Sequence, residues 1–388
     1  MTVNITASDI RGDEMFLQAL LPHVSRISDL SITGYSSIDD MEIGLSDFSA
    51  SSMPNLTFLE LNQSVQPTQL FPSNEIPAPS LFRNVSKLES LHLTRVPLYP
   101  TLFDIPSLVE LKLFGYIIHF GNFIGFLESN LTLEIVYLSL GFTKGSVSTT
   151  SERTVSLPRL QHLVLICGNP IDARGLLSCL SLPRGVDVAI CASRQSSCTS
   201  LTSFLPCPPT HIRDMLTPIT TIENYRHCIR LSSSGGSFSF ESWTDPPPGV
   251  YEEFNLFAID TVREFHLLGT EDFTNNLAWL LERLPALEAL VIFQTALRSG
   301  SLSALMKEPV SCPSLKTIAF SGCEVTSEMI RELKGILKRR EHSTAARLHR
   351  VVIVADPTDL PDLDSIRQLR MSVPHVDIRV GGKLPDLL

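Results

Sequence analysis

One phrase recurs along this chain: an apolar residue, two others, a second apolar residue, one other, and a third. It stands as Leu56-Leu59-Leu61, Leu88-Leu91-Leu93, Leu108-Leu111-Leu113, Leu160-Leu163-Leu165, Leu287-Leu290-Ile292 and Leu315-Ile318-Phe320. A proline often sits two residues before its first member, as at Pro54, Pro106, Pro158, Pro285 and Pro313. A repeat spacing of roughly 20 to 35 residues marks stacked supersecondary units, none of which can bury its apolar face alone. The paired apolar positions around one intervening residue place two side chains on one face of a short strand. Aligned on the middle position, the array reads Leu30, Leu59, Leu91, Leu111, Leu138, Leu163 and Val188, then Phe265, Leu290, Ile318, Val351 and Ile378.

Between these strands the sequence predicts short helices. Asp172, Thr274 and Thr326 or Ser327 offer side-chain oxygens to orphan N–H groups, each ahead of apolar residues at i, i+3, i+4 and i+7. Lys338, Arg339 and Arg340 close the last of them and read as a solvated helix terminus that complements the dipole. The fold class expected is therefore α/β: an irregular solenoid over residues 1–388, parallel strands on one face and short helices on the other. A hairpin or loop insertion at about 192–260 is expected to interrupt it, where Pro206-Cys207-Pro208-Pro209, Ser232–Ser237 and Pro246-Pro247-Pro248-Gly249 cluster. Ile229–Leu231 and Phe238–Trp243 alternate apolar and polar on either side of Gly235-Gly236, a hairpin signal.

A chain of 388 residues exceeds what one compact core supports, but a stack escapes that limit because each unit touches only its neighbours. Hydrophobic residues at 43% against 19% charged make this a folding composition. A net charge of −10 argues against nucleic acid, whose phosphates demand Lys and Arg, and against an anionic membrane surface. The N-terminus shows no secretory pattern and no apolar run is long enough to span a bilayer, so a cytoplasmic or nuclear location is expected. In that setting the sequons at Asn4, Asn55, Asn62, Asn84 and Asn130 are chance matches. The eight cysteines form no C-x-x-C pair and read mostly as small buried thiols, with no metal site.

Catalytic motifs are absent: there is no nucleophile elbow, P-loop or H-E-x-x-H. His92 and His266 sit between paired apolar positions and read as solvent-facing strand residues. The acidic patch Asp39, Asp40, Glu42 and Asp47 reads as a solvated loop, and Asp364 as a helix cap. No cofactor is expected, and no enzymatic activity.

Residues between the aligned apolar positions point onto a shared strand-lined surface. They run Glu60, His92, Lys112, Ser139, Val164, His266, Val291, Ala319 and Val352, polar early and apolar late. Apolar side chains such as Phe293, Val352 and Val354 are out of place on an open strand face, so either adjacent loops cover them or a partner does. As a partner-binding surface this face offers Lys112, Phe114, His266, Phe293, Val352 and Val354. The rival is the hairpin, with Phe238, Phe240 and Trp243 as exposed rings.

Leu315-Lys316-Thr317-Ile318-Ala319-Phe320-Ser321-Gly322-Cys323-Glu324-Val325 resembles the leucine-rich-repeat template L-x-x-L-x-L-x-x-[N/C]-x-L, with Cys323 where the side chain bonds turn backbone inside the stack. Ser64, Val96 and Thr295 stand at the equivalent place elsewhere. The phrases Leu21–Leu30, Pro54–Leu61 and Leu284–Leu290 are similar to the repeat regions of F-box-like proteins abundant in mushroom-forming fungi. That resemblance implies a non-enzymatic protein-recognition module, the substrate-binding part of a ubiquitin ligase receptor. The alternative is a repeat scaffold or decayed paralogue with no ubiquitin role. Residues 10–21 supply one helix capped by Asp13, too little for a three-helix F-box. A Skp-type adaptor is therefore a partner only if an F-box lies outside this chain, and the protein partner itself stays unnamed.

Overall fold

A computed structural model describes residues 1–6, 20–35, 53–64, 85–96, 105–142, 154–193, 200–206, 210–225, 228–242, 254, 257–268, 279–293, 302, 305, 311–323, 326–343, 345–355 and 363–380. The chain divides into two compact units, Met1–His211 and Ile212–Leu388. The boundary falls inside the segment expected as an insertion.

In the first unit, β1 (Thr2–Thr6), β2 (Asp29–Tyr35), β3 (Phe58–Gln63), β4 (Ser90–Thr94), β5 (Glu110–Ile118), β6 (Ile135–Phe142), β8 (His162–Cys167) and β10 (Val186–Ala192) lie side by side in that order. Each pairs parallel with the next. A separate two-stranded ladder joins β7 (Val155–Ser156) to β9 (Leu180–Ser181). The ladder register carries Val3, Leu30, Leu59, Leu91, Leu111, Val136, Leu163 and Val188 in one row. Two features differ from the sequence alignment. β1 is an extra strand, and in β6 Val136, not Leu138, occupies the shared row. Slipping a strand by two residues keeps every side chain on its face, so apolar patterning alone cannot choose between these frames.

The phrase begins with a turn that also repeats. Leu56, Leu88, Leu108, Leu133 and Leu160 each donate a backbone N–H to the carbonyl three residues earlier, on Met53, Val85, Ile105, Asn130 and Leu157. The turn locks two inward-pointing residues ahead of each strand, and proline at its second position suits the fixed φ. A backbone ladder then links the turns: Thr57 N donates to Ser28 O, Glu89 N to Thr57 O, Val109 N to Glu89 O and Glu134 N to Val109 O, each at 2.8 Å. Hydroxyls reinforce it, Thr57 Oγ1 bonding Ser28 O at 3.1 Å, Ser107 Oγ bonding Leu88 O at 2.9 Å and Thr132 Oγ1 bonding Leu108 O at 2.7 Å. These serine and threonine contacts tie each repeat to the one before it at the start of the strand.

Two helices of this unit, α1 (Phe120–Ser129) and α2 (Pro170–Cys179), bury Phe123, Phe126, Leu127, Leu176 and Leu177. Phe120 of α1 meets Phe142, on the apolar side of β6, edge to face at 4.9 Å. The N-cap of α2 is Asn169, whose Oδ1 accepts from Ile171 N at 3.2 Å, rather than Asp172. Asp172 instead lies buried in the first turn and accepts from Phe142 N at 3.2 Å.

The second unit orders its strands β13 (Gly236–Ser242), β12 (Cys228–Ser233), β11 (Ile219–Tyr225), β14 (Glu264–Leu268), β15 (Ala289–Phe293), β16 (Thr317–Ser321), β17 (Arg350–Ala355) and β18 (His375–Val380). β12 and β13 form the expected antiparallel hairpin, Leu231 opposite Phe238 and Ile229 opposite Phe240. β11 pairs antiparallel with β12 and parallel with β14, so the hairpin extends the sheet. From β14 onward the ladder is parallel, with Phe265, Leu290, Ile318 and Val351 in one row; Val376 of β18, not Ile378, completes it.

Helix α3 (Ser327–Glu341) begins at Thr326, whose Oγ1 accepts from Met329 N at 3.2 Å. Its C-terminal basic run is not wholly solvated as expected. Arg340 is buried, donating Nε to Ala346 O at 2.9 Å and Nη2 to Cys312 O, Pro313 O and Leu315 O at 3.2, 3.1 and 3.0 Å. It ties the helix end to the turn that launches β16. α4 (Leu363–Ser372) follows, with Asp364 in its first turn.

Candidate functional site

Alternation along a strand sends every second residue to the face opposite the buried leucines. In the first unit this face is half-exposed and continuous. The register sets Ser31, Glu60, His92, Lys112, Tyr137, Val164 and Ala189 in one row, with Asp29, Phe58, Ser90, Glu110, Ile135, His162 and Asp187 in the row before it.

Its centre is a polar cluster on β3–β6. Glu110 accepts from Lys112 Nζ at 2.7 Å and from Ser90 Oγ at 2.6 Å, and His92 Nε2 lies 3.3 Å away. Glu60 accepts from Ser31 Oγ at 2.7 Å. Aromatic rings border the charges: Phe58 meets the His92 ring edge-on at 4.9 Å, and Lys112 Nζ sits 5.7 Å from the Tyr137 ring centre. Burial alone would raise the Glu110 carboxyl, but hydrogen bonds from Lys112 and Ser90 outweigh it and hold the group at about 2. Burial, reinforced by the Lys112 charge, lowers the His92 imidazole below its ordinary value against the opposing pull of Glu110 and Glu60.

Ser90, His92 and Glu110 bring together the residue types of a nucleophilic triad, but not its arrangement. There the carboxylate holds the ring nitrogen remote from the serine. Here Ser90 Oγ and Glu110 Oε2 both approach His92 Nε2, at 3.2 and 3.3 Å, and the serine donates to the carboxylate. The cluster is a self-satisfied hydrogen-bonded and ion-paired network. Among the described residues no group of His, Cys, Asp and Glu has the arrangement of a metal site.

Lys112 and Phe114 both lie half-buried on this face, Phe114 between Thr94 and Ser139 in register. After Phe114 the strand bulges at Gly115, whose φ of +74° only glycine adopts without strain. Ser90, Glu110 and Tyr137 were missed in the sequence. The first two precede the middle apolar residue of their phrases and so share its open-face neighbour's orientation; Tyr137 was hidden by the misframing of β6.

In the second unit, His266 Nε2 lies 2.8 Å from Glu264 Oε1 and Nδ1 3.8 Å from Glu223 Oε1, with the Phe293 ring at 5.9 Å. Phe293 is half-buried against Val291, Ala319, Val352 and Val354, all buried. The two readings of these apolar strand residues thus resolve toward cover within the chain. Val352 at 0% and Val354 at 4% exposure present no surface to a partner. The hairpin rings are corrected likewise, for Phe238 and Phe240 are buried in the sheet's packing. Trp243, the 39–47 acidic patch and the helix expected from residue 10 lie outside the described residues, apart from the last two residues of that helix.

Among the described cysteines, Cys167, Cys179, Cys312 and Cys323 are buried, and none is disulfide-bonded. Cys323 is buried and donates Sγ–H to Ile292 O at 3.4 Å, a carbonyl of the preceding strand rather than of a turn. Cys312 makes a matching bond to Leu281 O at 3.1 Å. Burial pushes the Cys312 and Cys167 thiols up to about 12, leaving neither reactive. Asn130, a sequon residue, is fully buried with Nδ2 donating to Phe126 O at 2.8 Å, so that side chain is inaccessible to a glycan.

No family model matches this chain, and no curated protein does. Among solved structures, a Bacteroides fragilis protein aligns at a TM-score of 0.21 and 11% identity, over 95% of this chain and 68% of its own. TLR13, solved with ssRNA13, aligns at 0.39 and 15% identity over 93% of this chain, which spans only 50% of the TLR13 chain. Likenesses this distant assign no function. Among the described residues no helix is long and apolar enough to cross a membrane.

Proposed function

We propose that this chain is a non-enzymatic protein-recognition module of the leucine-rich-repeat type, and that it binds through the strand face of its first unit. The observation carrying this reading is the row Glu60, His92, Lys112 and Tyr137, one half-exposed side chain per strand in unbroken register. Stacked units combine such residues, distant in sequence, into an extended surface. The aromatic members carry a disproportionate share of interface energy. His266 and Phe293 form a smaller polar and aromatic group on the second unit. The repeat phrases support a finer reading, the substrate-binding part of an F-box-type ubiquitin ligase receptor, which requires an F-box beyond this chain to engage a Skp-type adaptor.

Affinity capture followed by mass spectrometry, comparing Phe114→Asp and Lys112→Glu with the helix-side variant Ile171→Asp, tests the surface. Ile171 is 51% exposed on α2, so its replacement controls for general surface change. Proteins retained by wild type and Ile171→Asp but lost by both strand-face variants support the reading. Loss through Ile171→Asp alone moves the surface to the helices. Ubiquitin transfer to the captured protein in a reconstituted ligase tests the finer role.

A further inference from the structure

Two strands at ladder ends, β1 in the first unit and β18 in the second, differ in how well they are covered. On β1 the core-side residues Val3 and Ile5 are 6% and 1% exposed. On β18 the corresponding Val376 and Ile378 are half-exposed and Val380 is 59% exposed, although Val351 and Ile353 on the neighbouring β17 are fully buried. Met371, at the end of α4 just before β18, is 83% exposed. β18 is last in its sheet order, and among the described residues nothing pairs with its outer edge. A strand with open N–H and C=O groups and an uncovered apolar side is a template for another strand.

The sequence of β18 specifies which strand fits. His375, Asp377 and Arg379 occupy one side of it, Val376, Ile378 and Val380 the other. We infer that the outer edge of β18, unpaired among the described residues, pairs antiparallel with β18 of a second copy of this chain, Ile378 opposite Ile378. In that register Asp377 faces Arg379 of the other copy twice over, and Val376 faces Val380. Charges meet opposite charges and apolar residues meet apolar ones. A slip by one residue sets Asp377 against Ile378 and loses both matches. Within one chain Asp377 lies 3.0 Å from Arg379 on its own strand and 3.8 Å from Arg350 on β17, so its carboxylate already gathers guanidinium groups on this side of the sheet and in the dimer is shared with one more. The contact is isologous and closes as a two-fold dimer. Its area is that of one strand pair with flanking side chains, so the association is weak and concentration-dependent.

Sedimentation velocity over a concentration series of the full chain tests this pairing. Wild type shifts from monomer to dimer as concentration rises. Asp377→Arg or Arg379→Asp alone sets like charges face to face and weakens dimerisation about tenfold. An equimolar mixture of the two restores it as a heterodimer, which unfolded variants would not do. Val380→Lys, at a side chain the fold leaves exposed, weakens the dimer without touching the core. Wild type monomeric throughout overturns the inference. So does a dimer that tolerates each of these changes, or folded single variants whose mixture fails to associate.

Discussion

At the scale of single residues, the account rests on side chains whose surroundings define their roles. Leu111, Leu163 and Leu290 are at most 1% exposed on the core side of three strands, so replacing any one with Ala removes apolar contacts and leaves a cavity. The expected cost is about 2–5 kcal/mol, read by denaturant unfolding. Arg340 makes a different kind of contribution. Its guanidinium serves the carbonyls of Cys312, Pro313, Leu315 and Ala346 while buried. Arg340→Ala should lower stability by at least about 2 kcal/mol, since buried carbonyls lose charged donors. Arg340→Lys should not rescue it, because an ammonium lacks the planar fork. Glu110 predicts a pH dependence. Its folded carboxyl, at about 2, lies below its ordinary value of 4.5. The group therefore contributes stability that is present above 4.5 and lost as pH falls through that window toward 2. Glu110→Gln should remove that part of the acid sensitivity in a series of melts between those pH values, leaving wild type and variant alike at the acid end.

At the scale of elements, β3, β4, β5, β6, β8, β15 and β16 are launched by the same turn, so local sequence and long-range pairing agree there. This agreement is why the strand rows were readable from Leu30 to Val188 and from Phe265 to Val351. Where the phrase is ambiguous, legibility failed. Val136-Tyr137-Leu138 and Val376-Asp377-Ile378 offer two frames of equal apolar quality, and only hydrogen-bond register separates them. β1 was missed because its five residues, Thr2–Thr6, do not carry the full phrase. The hairpin was found from its glycines, but its rings were misassigned to solvent. Alternation shows which residues share a face, not whether another strand continues the sheet beside them. The same limit applies to Val352 and Val354, whose cover lies elsewhere in the chain and leaves no trace in their own phrase. Helix α3 was legible at its start. Thr326→Ala should remove the bond to Met329 N and cost about 1 kcal/mol, measurable as a drop in Tm.

At the scale of the molecule, the units present different strand faces despite sharing one repeat. The first carries charged and aromatic residues half-open to solvent from β3 to β6. The second is dry across β15 to β17, where Val291, Ala319 and Val352 are fully buried. The recognition surface proposed above therefore lies on the first unit, and a photo-crosslinking amino acid is the direct probe. Placed at Lys112 or Phe114 on the strand face, and separately at Ile171 on α2, it reports which side meets a partner in cell extract. The account predicts a shared crosslinked protein from positions 112 and 114 that is absent from position 171. The same protein captured from position 171, with none from the strand face, would contradict it.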